Sequence, residues 1–301
     1  MKKTLLLFFF ILPLFYFSQS RIRYKYELLG GVGMTNFLGD LGGANQVGRH
    51  LIQDYDFKAT RPVISAGFRY KNHRMFAFKA MLEMGLLAGN DAYTKDIYRQ
   101  NRNLSFLSPI VELSVQGEWY FIKEKRTNVY RITGVKGKKK RKYTMYLFGG
   151  VGTFFYSPSA KGSDGARHGL RKLNTEGQGL PGGPKKYSNF NVCIPVGVGY
   201  KYNFTKQWSI GAELGFRKTF TDYIDDVSGV YYDNAAIKAA YGDVAAMMAD
   251  PSLGNIKGAT MPNGDGTGAQ RGETKYKDSY MFLEFNVNYK FTKKRRTRSK
   301  F

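Results

Sequence analysis

The sequence predicts an all-β fold, an eight-stranded antiparallel transmembrane β-barrel with long extracellular loops and one short loop helix. Three observations lead to this prediction. Eight segments alternate apolar and polar residues, an export signal precedes them, and the connections between them are short at one rim and long at the other. A period of two gives a strand one apolar and one polar face. In a membrane barrel the apolar faces meet lipid, whereas in a soluble sandwich they would meet a protein core.

The N-terminus has the layout of a secretory signal peptide, predicted over residues 1–20. Two lysines precede an apolar run from Leu5 to Phe17, and the small residues Ser18 and Ser20 follow. This run is too short to span a bilayer comfortably, so an uncleaved anchor helix is disfavoured. We therefore expect the protein to be exported, with cleavage near Ser18 or Ser20.

Composition also favours a barrel in the outer membrane. The chain has a formal charge of +24, 35 glycines, 9 prolines and 16% aromatic residues. Cys193 is its one cysteine, so an intrachain disulfide framework is excluded. The apolar faces of the predicted strands end in Tyr, Trp and Phe, as the aromatic girdles of membrane barrels do.

The barrel is predicted to occupy residues 21–292, with a basic periplasmic tail at residues 293–301. An even number of strands suits a closed antiparallel barrel. The most regular alternation is the last, from Met281 to Phe291. The eight strands are predicted near residues 24–35, 62–70, 75–87, 108–122, 143–156, 189–203, 207–220 and 279–291.

The polar strand faces predict an interior packed with paired charges and closed to flow. An eight-stranded barrel is narrow enough for side chains to fill it. Buried charges are costly when unpaired, so the inward carboxylates and bases are expected to pair with one another. The predicted interior network consists of Lys25, Glu27, Arg69, Lys79, Glu83, Glu112, Glu118, Glu213, Arg217, Glu284 and Lys290.

Connection lengths predict the orientation of the barrel. Residues 71–74 and 203–207 form short turns, whereas the links of the other rim are several times longer. Short turns face the periplasm in outer-membrane barrels, so both termini are predicted there and the long loops outside the cell. The link from Lys123 to Lys142 is an exception, being long and basic on the periplasmic side. Its candidate residues for a periplasmic contact are Lys136, Lys138, Lys139, Lys140, Arg141 and Lys142.

Signals for catalysis or cofactor binding are weak, and neither is predicted. The glycine runs "GGVGMTN" and "FGGVGTFF" lack the spacing of a nucleotide-binding loop. His50, His73 and His168 fall in separate turns and loops, which gives no support to a Ser/His hydrolase. For the basic segments, the export signal disfavours nucleic acid as a partner and favours anionic lipid head groups or an acidic protein.

A cluster of aspartates follows the seventh strand. Asp222, Asp225, Asp226 and Asp233 could hold calcium, but the spacing of an EF-hand is absent. A polar rim where the strand leaves the membrane is the favoured interpretation, and no metal site is predicted. Further along this loop, "NAAIKAAYGDVAAMMADP" predicts one surface helix that ends before Pro251.

Several stretches resemble a family of outer-membrane β-barrels from Bacteroidota. They are "YELLGGVGMTNFLGDLGG", "NRNLSFLSPIVELSVQGEWYF", "YLFGGVGTFFYSPSA", "NTEGQGLP", "IPVGVGYKY" and "WSIGAELGFRKTFTDYIDDVSGVYYD", and together they cover most of the exported chain. The motif residues that match the family are Asn36, Gly39, Asp40, Glu176, Gly177, Asp222, Asp225 and Asp226.

This family includes PorG, an outer-membrane component of the type IX secretion system. The resemblance implies a structural role, which agrees with the prediction of no enzymatic activity and no cofactor. It also implies contact with outer-membrane lipid and with a periplasmic ring, built from a PorK-like lipoprotein and a PorN-like partner, that the barrel anchors. The family has members without an assigned role, so alternatives stay open. These are a structural or adhesin-like barrel, a small uptake or efflux barrel and a lipid-modifying barrel enzyme.

Overall fold

A computed structural model describes residues 25–41, 57–94, 96–125, 141–256, 269–274 and 277–291. Three of the sequence predictions concern residues outside these ranges. They are the signal peptide at 1–20, the tail at 293–301, and the basic residues Lys136, Lys138, Lys139 and Lys140.

Eight antiparallel strands close into a barrel, which confirms the predicted fold class. Each strand pairs with the next one along the chain, and the last pairs with the first, from Glu27 opposite Lys290 to Leu38 opposite Ser279. The barrel strands are β1 (Tyr26–Leu38), β2 (Arg61–Tyr70), β3 (Phe76–Asn90), β4 (Ser105–Ile122), β5 (Tyr143–Tyr156), β8 (Phe190–Asn203), β9 (Trp208–Thr219) and β10 (Ser279–Lys290). Between β5 and β8, the short strands β6 (Ser159–Lys161) and β7 (Arg167–Gly169) form a hairpin that extends the sheet beside β4.

The two rims of the barrel differ in their connections. One rim, the turn end, carries the links after β2 and β8 and the link from β4 to β5. The other, the loop end, carries the four long connections that follow β1, β3, β5 and β9. The helices described by the structure lie in these long connections, and none of them is long and apolar enough to cross a bilayer. They are α1 (Ile97–Arg102), α2 (Leu170–Leu173), α3 (Asn234–Tyr241) and α4 (Asp243–Ala249), with 3-10 turns at Phe57–Ala59 and Asp91–Tyr93.

The last long connection forms two helices where the sequence predicted one. Gly242 adopts a φ of 92° between α3 and α4, a conformation that favours glycine and breaks the helix. Asp233 caps α3, its side chain accepting a hydrogen bond of 3.0 Å from the Ala235 N–H.

The outward faces of the strands form an apolar surface. Large side chains such as Val32, Ile64, Leu113 and Val151 are 58–68% exposed. A continuous apolar surface around a closed sheet is typical of a membrane barrel, in which lipid covers this surface. Aromatic pairs border it at the turn end, including Tyr26–Phe68, Tyr143–Tyr200 and Trp208–Tyr289, with ring centroids 5.7, 6.1 and 4.9 Å apart.

Strand β3 shows why some predicted boundaries were too short. Its outward residues are exposed up to Met84, but Leu87 and Ala88 are both buried. The strand continues to Asn90 beneath the long loops, where both of its faces are covered. Alternation of apolar and polar residues therefore stops before the strand does, and the sequence pattern ends at residue 87.

Candidate functional site

Arg69 is the centre of a buried charge network in the half of the barrel nearer the turn end. Its guanidinium lies 2.9 Å from a Glu27 oxygen, 2.8 Å from Glu118 and 3.4 Å from Glu213, and donates a hydrogen bond of 2.9 Å to Asn288. These partners stand on β1, β4, β9 and β10, whereas Arg69 stands on β2. It also donates a hydrogen bond of 3.2 Å to Tyr146 on β5, so one fully buried side chain joins six of the eight barrel strands.

A second cation, Lys79, crosses the bore completely. Counted around the barrel, β3 and β9 lie opposite each other, and the Lys79 ammonium on β3 pairs with the Glu213 carboxylate on β9. Tyr146 donates a hydrogen bond of 2.5 Å to the same carboxylate. Lys201 and Lys71 approach Glu27 at 2.8 and 3.0 Å.

A second ionic layer lies nearer the loop end and joins the same two opposite strands with reversed polarity. Here Arg217 on β9 pairs with Glu83 on β3 at 2.5 Å and with Glu112 on β4 at 3.3 Å. Tyr280 donates to Glu112 at 2.9 Å, and the Arg217 guanidinium lies 4.1 Å from the centroid of the Phe282 ring. The bore is therefore crossed by ion pairs at two levels.

The interior differs from the predicted network at both ends. Lys25 is exposed before the start of β1, because the strand begins one residue later and the lysine lies at the rim. Lys290 is buried at that end, donating to Asn203, with Glu124 4.0 Å away. Glu284 is also buried, 3% exposed. Toward the loop end the interior becomes aromatic and apolar, with Phe106, Phe154, Tyr156, Tyr280 and Phe282 in one cluster.

Sequence reasoning missed several partners in the network, among them Lys201, Tyr120 and Tyr146. Lys201 stands on the inward face of β8 with Asn203, so its position in the alternation could have revealed it. Tyr120 and Tyr146 also point inward and are 2% and 0% exposed. Tyrosines on an inward face interrupt the alternation of apolar and polar residues, because their rings are counted as apolar although their hydroxyls can bind carboxylates.

The long connections fold together into a cap over the loop end. Apolar residues from four of them, Leu41, Leu104, Leu170 and Ile224, are buried in the same cluster as the aromatic residues of the upper barrel. The cap and the barrel therefore share one core, and the loops have fixed positions relative to the strands.

Arg271 connects motif residues from two of these loops. Its guanidinium, fully buried, donates to Glu176 at 2.8 Å and to the Asp226 carbonyl at 2.6 Å. The Asp226 carboxylate accepts hydrogen bonds of 2.5 Å from the hydroxyls of Thr175 and Tyr187. Asp226 itself has a φ of 65°. Residues 176 and 226, distant in sequence, thus form one polar centre.

Four further aspartates lie in the cap, three of them buried and Asp40 partly buried, and each accepts a hydrogen bond from a backbone or hydroxyl donor. Asp40 accepts from the Glu273 N–H at 2.8 Å, and Asp278 from the Ile224 N–H at 2.9 Å. Asp222 accepts from the Ser228 hydroxyl at 2.7 Å and Asp225 from the Val227 N–H at 3.0 Å. The sequence favoured a polar rim for residues 222–226, whereas the structure places them inside the cap.

Burial changes the titration of these carboxyls, because loss of water disfavours the charged form. It raises the pKa of Asp40 and that of Asp226 to about 6, although Arg271 opposes the shift at Asp226. Burial, reinforced by neighbouring carboxylates, also raises the pKa of Asp225 and that of Asp278 well above the ordinary range. Among the described residues, no group of three or more Asp, Glu, His or Cys side chains has the arrangement of a metal site.

Two motif glycines permit close packing in the cap. A Cβ at Gly39 would lie 2.3 Å from the Phe37 ring and 2.4 Å from the Asp278 carboxylate. Gly177 has a φ of 70°, and a Cβ there would meet the Tyr232 ring at 2.5 Å. Asn36, in the part of β1 nearest the loop end, is 1% exposed. All of these motif residues except Asn36 therefore lie in the loops that form the cap.

Three solved outer-membrane barrels have a similar fold. Ail of Yersinia pestis is 7% identical, with a TM-score of 0.39, covering 90% of this chain and 100% of its own. Neisserial surface protein A is 8% identical, with a TM-score of 0.38 and coverage of 88% and 97%. OprG of Pseudomonas aeruginosa is 7% identical, with a TM-score of 0.38 and coverage of 90% and 97%. No protein-family model matches the chain, and no curated protein matches it either.

The closed sheet and its apolar outer surface define the class of this protein. It is a small outer-membrane β-barrel of eight strands, with an ion-paired interior and a folded cap at one end.

Proposed function

We propose that the protein is a non-enzymatic component of the type IX protein secretion system, anchoring a periplasmic ring of PorK-like and PorN-like proteins to the outer membrane. One observation carries the proposal. The residues that resemble the family lie far apart in sequence, yet Asp40, Glu176, Asp222 and Asp226 assemble the same buried cap. A shared motif that builds a whole substructure is better support for the family than scattered identities.

The barrel interior supports an anchoring role more than a transport role. Ion pairs from Lys79 to Glu213 and from Arg217 to Glu83 join opposite walls, and breaking such buried pairs is costly. A route for solutes would require these contacts to separate. The buried carboxylates are also engaged with structural partners, which supports a role without turnover.

The turn end offers a basic surface for a periplasmic partner. Lys125 and Arg141 exchange backbone hydrogen bonds of 3.1 and 3.0 Å, so the β4–β5 link starts as an extension of the barrel wall. Lys125 and Lys142 are exposed beside that link. With the turn end in the periplasm, the basic link would meet an acidic face of the ring.

Deletion of the gene with measurement of type IX cargo in the medium tests this proposal. We expect secreted cargo to fall sharply and to return when the wild-type protein is restored. A PorK-like lipoprotein should also co-purify with the tagged barrel. Normal secretion in the deletion strain would refute the proposal, and normal secretion with altered lipid A would instead support a lipid-modifying enzyme.

The second candidate is a structural or adhesin-like barrel outside the secretion system. It is favoured by apolar side chains exposed on the cap, where Ile97, Tyr98 and Leu253 are 66%, 65% and 56% exposed. Leu253 lies beside α1, its N–H donating to the Asn101 carbonyl at 2.9 Å. This candidate predicts normal cargo secretion together with reduced surface attachment in the deletion strain.

A further inference from the structure

The connection between β5 and β8 carries a large excess of exposed positive charge. Asp164 is its one exposed carboxylate, and it lies 2.8 Å from the His168 ring. The other acidic residue of the connection, Glu176, is buried against Arg271. We call the six exposed cations the basic surface of the cap, and they are Lys161, Arg167, Arg171, Lys172, Lys185 and Lys186.

These cations lie on neighbouring elements of one connection. Lys161 and Arg167 stand directly opposite each other in the β6–β7 hairpin. Helix α2, which carries Arg171, packs beside β6. The Arg171 side chain donates a hydrogen bond of 3.0 Å to the carbonyl of Tyr187, and Lys186 is the residue before this tyrosine. The hairpin, the helix and the segment before β8 therefore bring the basic residues together.

The basic surface lacks counter-charges in the described part of the chain, where no carboxylate pairs with any of its six cations. Like charges at directly opposed positions, such as Lys161 and Arg167, destabilise a β-ladder. The Arg167 guanidinium has an uncharged acceptor, the Ser159 hydroxyl at 3.4 Å. An anionic group bound between the two cations would remove this repulsion, so the hairpin favours an anionic ligand.

Contacts with the cap helices show where this surface lies. The Ser163 hydroxyl, in the turn of the hairpin, donates to the sulfur of Met247 on α4 at 2.9 Å. The Lys186 ammonium lies 5.9 Å from the centroid of the Tyr241 ring on α3, and the Tyr241 hydroxyl donates to the Gln178 carbonyl at 2.9 Å. The connection is therefore packed on the helices of the cap, and its exposed cations face the solvent.

The other side chains of the connection restrict the class of anion. No large apolar side chain is exposed between residues 157 and 189, whereas protein partners are usually anchored by such side chains. The one aromatic ring of the segment before β8, that of Tyr187, is stacked between Tyr156 and Tyr223 with centroids 6.4 and 4.6 Å away. It is therefore not available to stack on the bases of a single-stranded nucleic acid.

We propose that the basic surface of the cap binds an acidic polysaccharide, through ionic contacts between its cations and the charged groups of the sugar chain. A flexible polyanion can follow cations that lie on successive elements, and it requires neither an apolar anchor nor a stacking ring. Such contacts are screened by salt, so binding should weaken as the ionic strength rises. The site lies at the opposite rim from the turn end and does not depend on the anchoring proposed for that end.

Lysine acetylation of the folded barrel in an uncharged detergent tests the proposal, with dextran sulfate as the probe. Mass spectrometry measures the acetylation rate of each lysine separately, which distinguishes this surface from the basic residues of the turn end. Dextran sulfate should slow the reaction at the lysines of the basic surface, and uncharged dextran should not. Lys238 is the internal control, because its side chain is 64% exposed on α3 of the cap. The lysines expected to be protected are Lys161, Lys172, Lys185 and Lys186.

A pair of variants tests the role of the two arginines. Arg167→Gln with Arg171→Gln should raise the concentration of dextran sulfate needed for half-protection about tenfold, since each exposed ionic contact is worth up to about 1 kcal/mol. Lys125→Gln with Lys142→Gln is the matched control, because it removes the same charge from exposed and partly exposed positions of the turn end. This control should leave protection of the cap lysines unchanged.

Heat-modifiable migration on gels verifies that every variant is folded. Equal protection of Lys238, or no protection of the lysines of the basic surface, would overturn the proposal. An equal effect of the arginine variant and the turn-end control would overturn it as well, because binding would then follow net charge alone. Protection by phosphatidylglycerol vesicles or by duplex DNA at least as strong as that by dextran sulfate would assign the surface to lipid or to nucleic acid instead.

Discussion

Lys79 and Glu213 form an ion pair across the full width of the barrel, from strands β3 and β9 that lie opposite each other. Four residues further along the same strands, Glu83 and Arg217 repeat the contact with the charges exchanged. The two pairs hold opposite walls together at two levels. Removing one partner of such a pair is strongly destabilising, because the remaining charge is left buried without a counter-charge.

Replacing Lys79 alone should therefore destabilise the barrel. We expect Lys79→Met to lower the free energy of unfolding by about 3 kcal/mol. This is a small effect for a broken buried ion pair, because Glu213 keeps Tyr146 and Arg69 as partners. Urea-dependent loss of the heat-modifiable gel form measures the change. The double variant Lys79→Met with Glu213→Gln should recover much of the loss, and Lys172→Met, at an exposed loop position, should be neutral. Additive effects of the two substitutions would contradict the pairing.

The crossed bore also predicts the absence of ionic conductance. Arg69 and Lys79 place their side chains in the middle of the barrel, and both are fully buried by partners from several strands. Purified barrel reconstituted into planar bilayers should give no steady single-channel current at moderate voltage. A steady current from the folded protein would show that these contacts open, and it would favour a small uptake or efflux barrel.

These interior contacts show how far the sequence predicts the structure. The alternation in β3 and β9 places Lys79, Glu83, Glu213 and Arg217 on inward faces, so their shared location follows from a period of two. The pairing of residues across the bore depends on strand order, register and barrel closure. None of these can be predicted from the alternation of apolar and polar residues. Lys25 illustrates the limit, since one residue at a strand end decides between interior and rim.

The cap was harder to predict because its contacts link residues distant in sequence. Asp40, Glu176 and Arg271 belong to three loops, and no local pattern indicates that they meet. The aspartates of residues 222–226 look like a solvated rim in sequence, since isolated carboxylates are usually exposed. Only the folded loops supply the N–H and hydroxyl donors that allow burial.

The buried carboxyls of the cap predict a dependence on pH. The pKa of Asp226, and likewise that of Asp40, rises from 3.8 to about 6 on burial. A carboxyl with a raised pKa contributes stability that is fully present below pH 3.8 and is lost as the pH rises through about 6. Arg102 beside Asp40 and Arg271 beside Asp226 favour the charged carboxylates, so they reduce this loss without reversing it. Protease cleavage of the loops in folded protein should therefore become faster as the pH rises across this interval.

A neutral substitution in the cap isolates the effect. Asp225 is fully buried, and burial raises its pKa well above the ordinary range. Asp225→Asn should slow loop cleavage at neutral pH and flatten its dependence on pH. Asp243→Asn is the control, because the Asp243 side chain is 80% exposed at the start of α4. A pH profile of Asp225→Asn identical to that of the wild type would show that this carboxyl does not govern opening of the cap.

The basic link at the turn end gives the last prediction, which concerns the proposed periplasmic partner. Because Lys125 and Arg141 bridge through their backbones, a serine at 141 keeps the hydrogen bonds that start the link. The side chains of the link can therefore be exchanged without disturbing β4 and β5. Each solvated ion pair in such a contact is worth about 0–1 kcal/mol, so several charges have to be removed together.

We expect the quadruple variant Lys138→Ser, Lys139→Ser, Lys140→Ser and Arg141→Ser to insert normally but to lose co-purification of a PorK-like lipoprotein. Added salt should weaken the wild-type complex in the same way, because screening acts on exposed charges. Pull-down from membrane extracts at increasing ionic strength measures both effects. The matched control removes four exposed cations at the loop end, namely Lys161, Arg167, Arg171 and Lys172, and should leave co-purification unchanged. If the turn-end variant retains the lipoprotein as well as the wild type does, the cluster does not contact the ring and serves lipid or solubility instead.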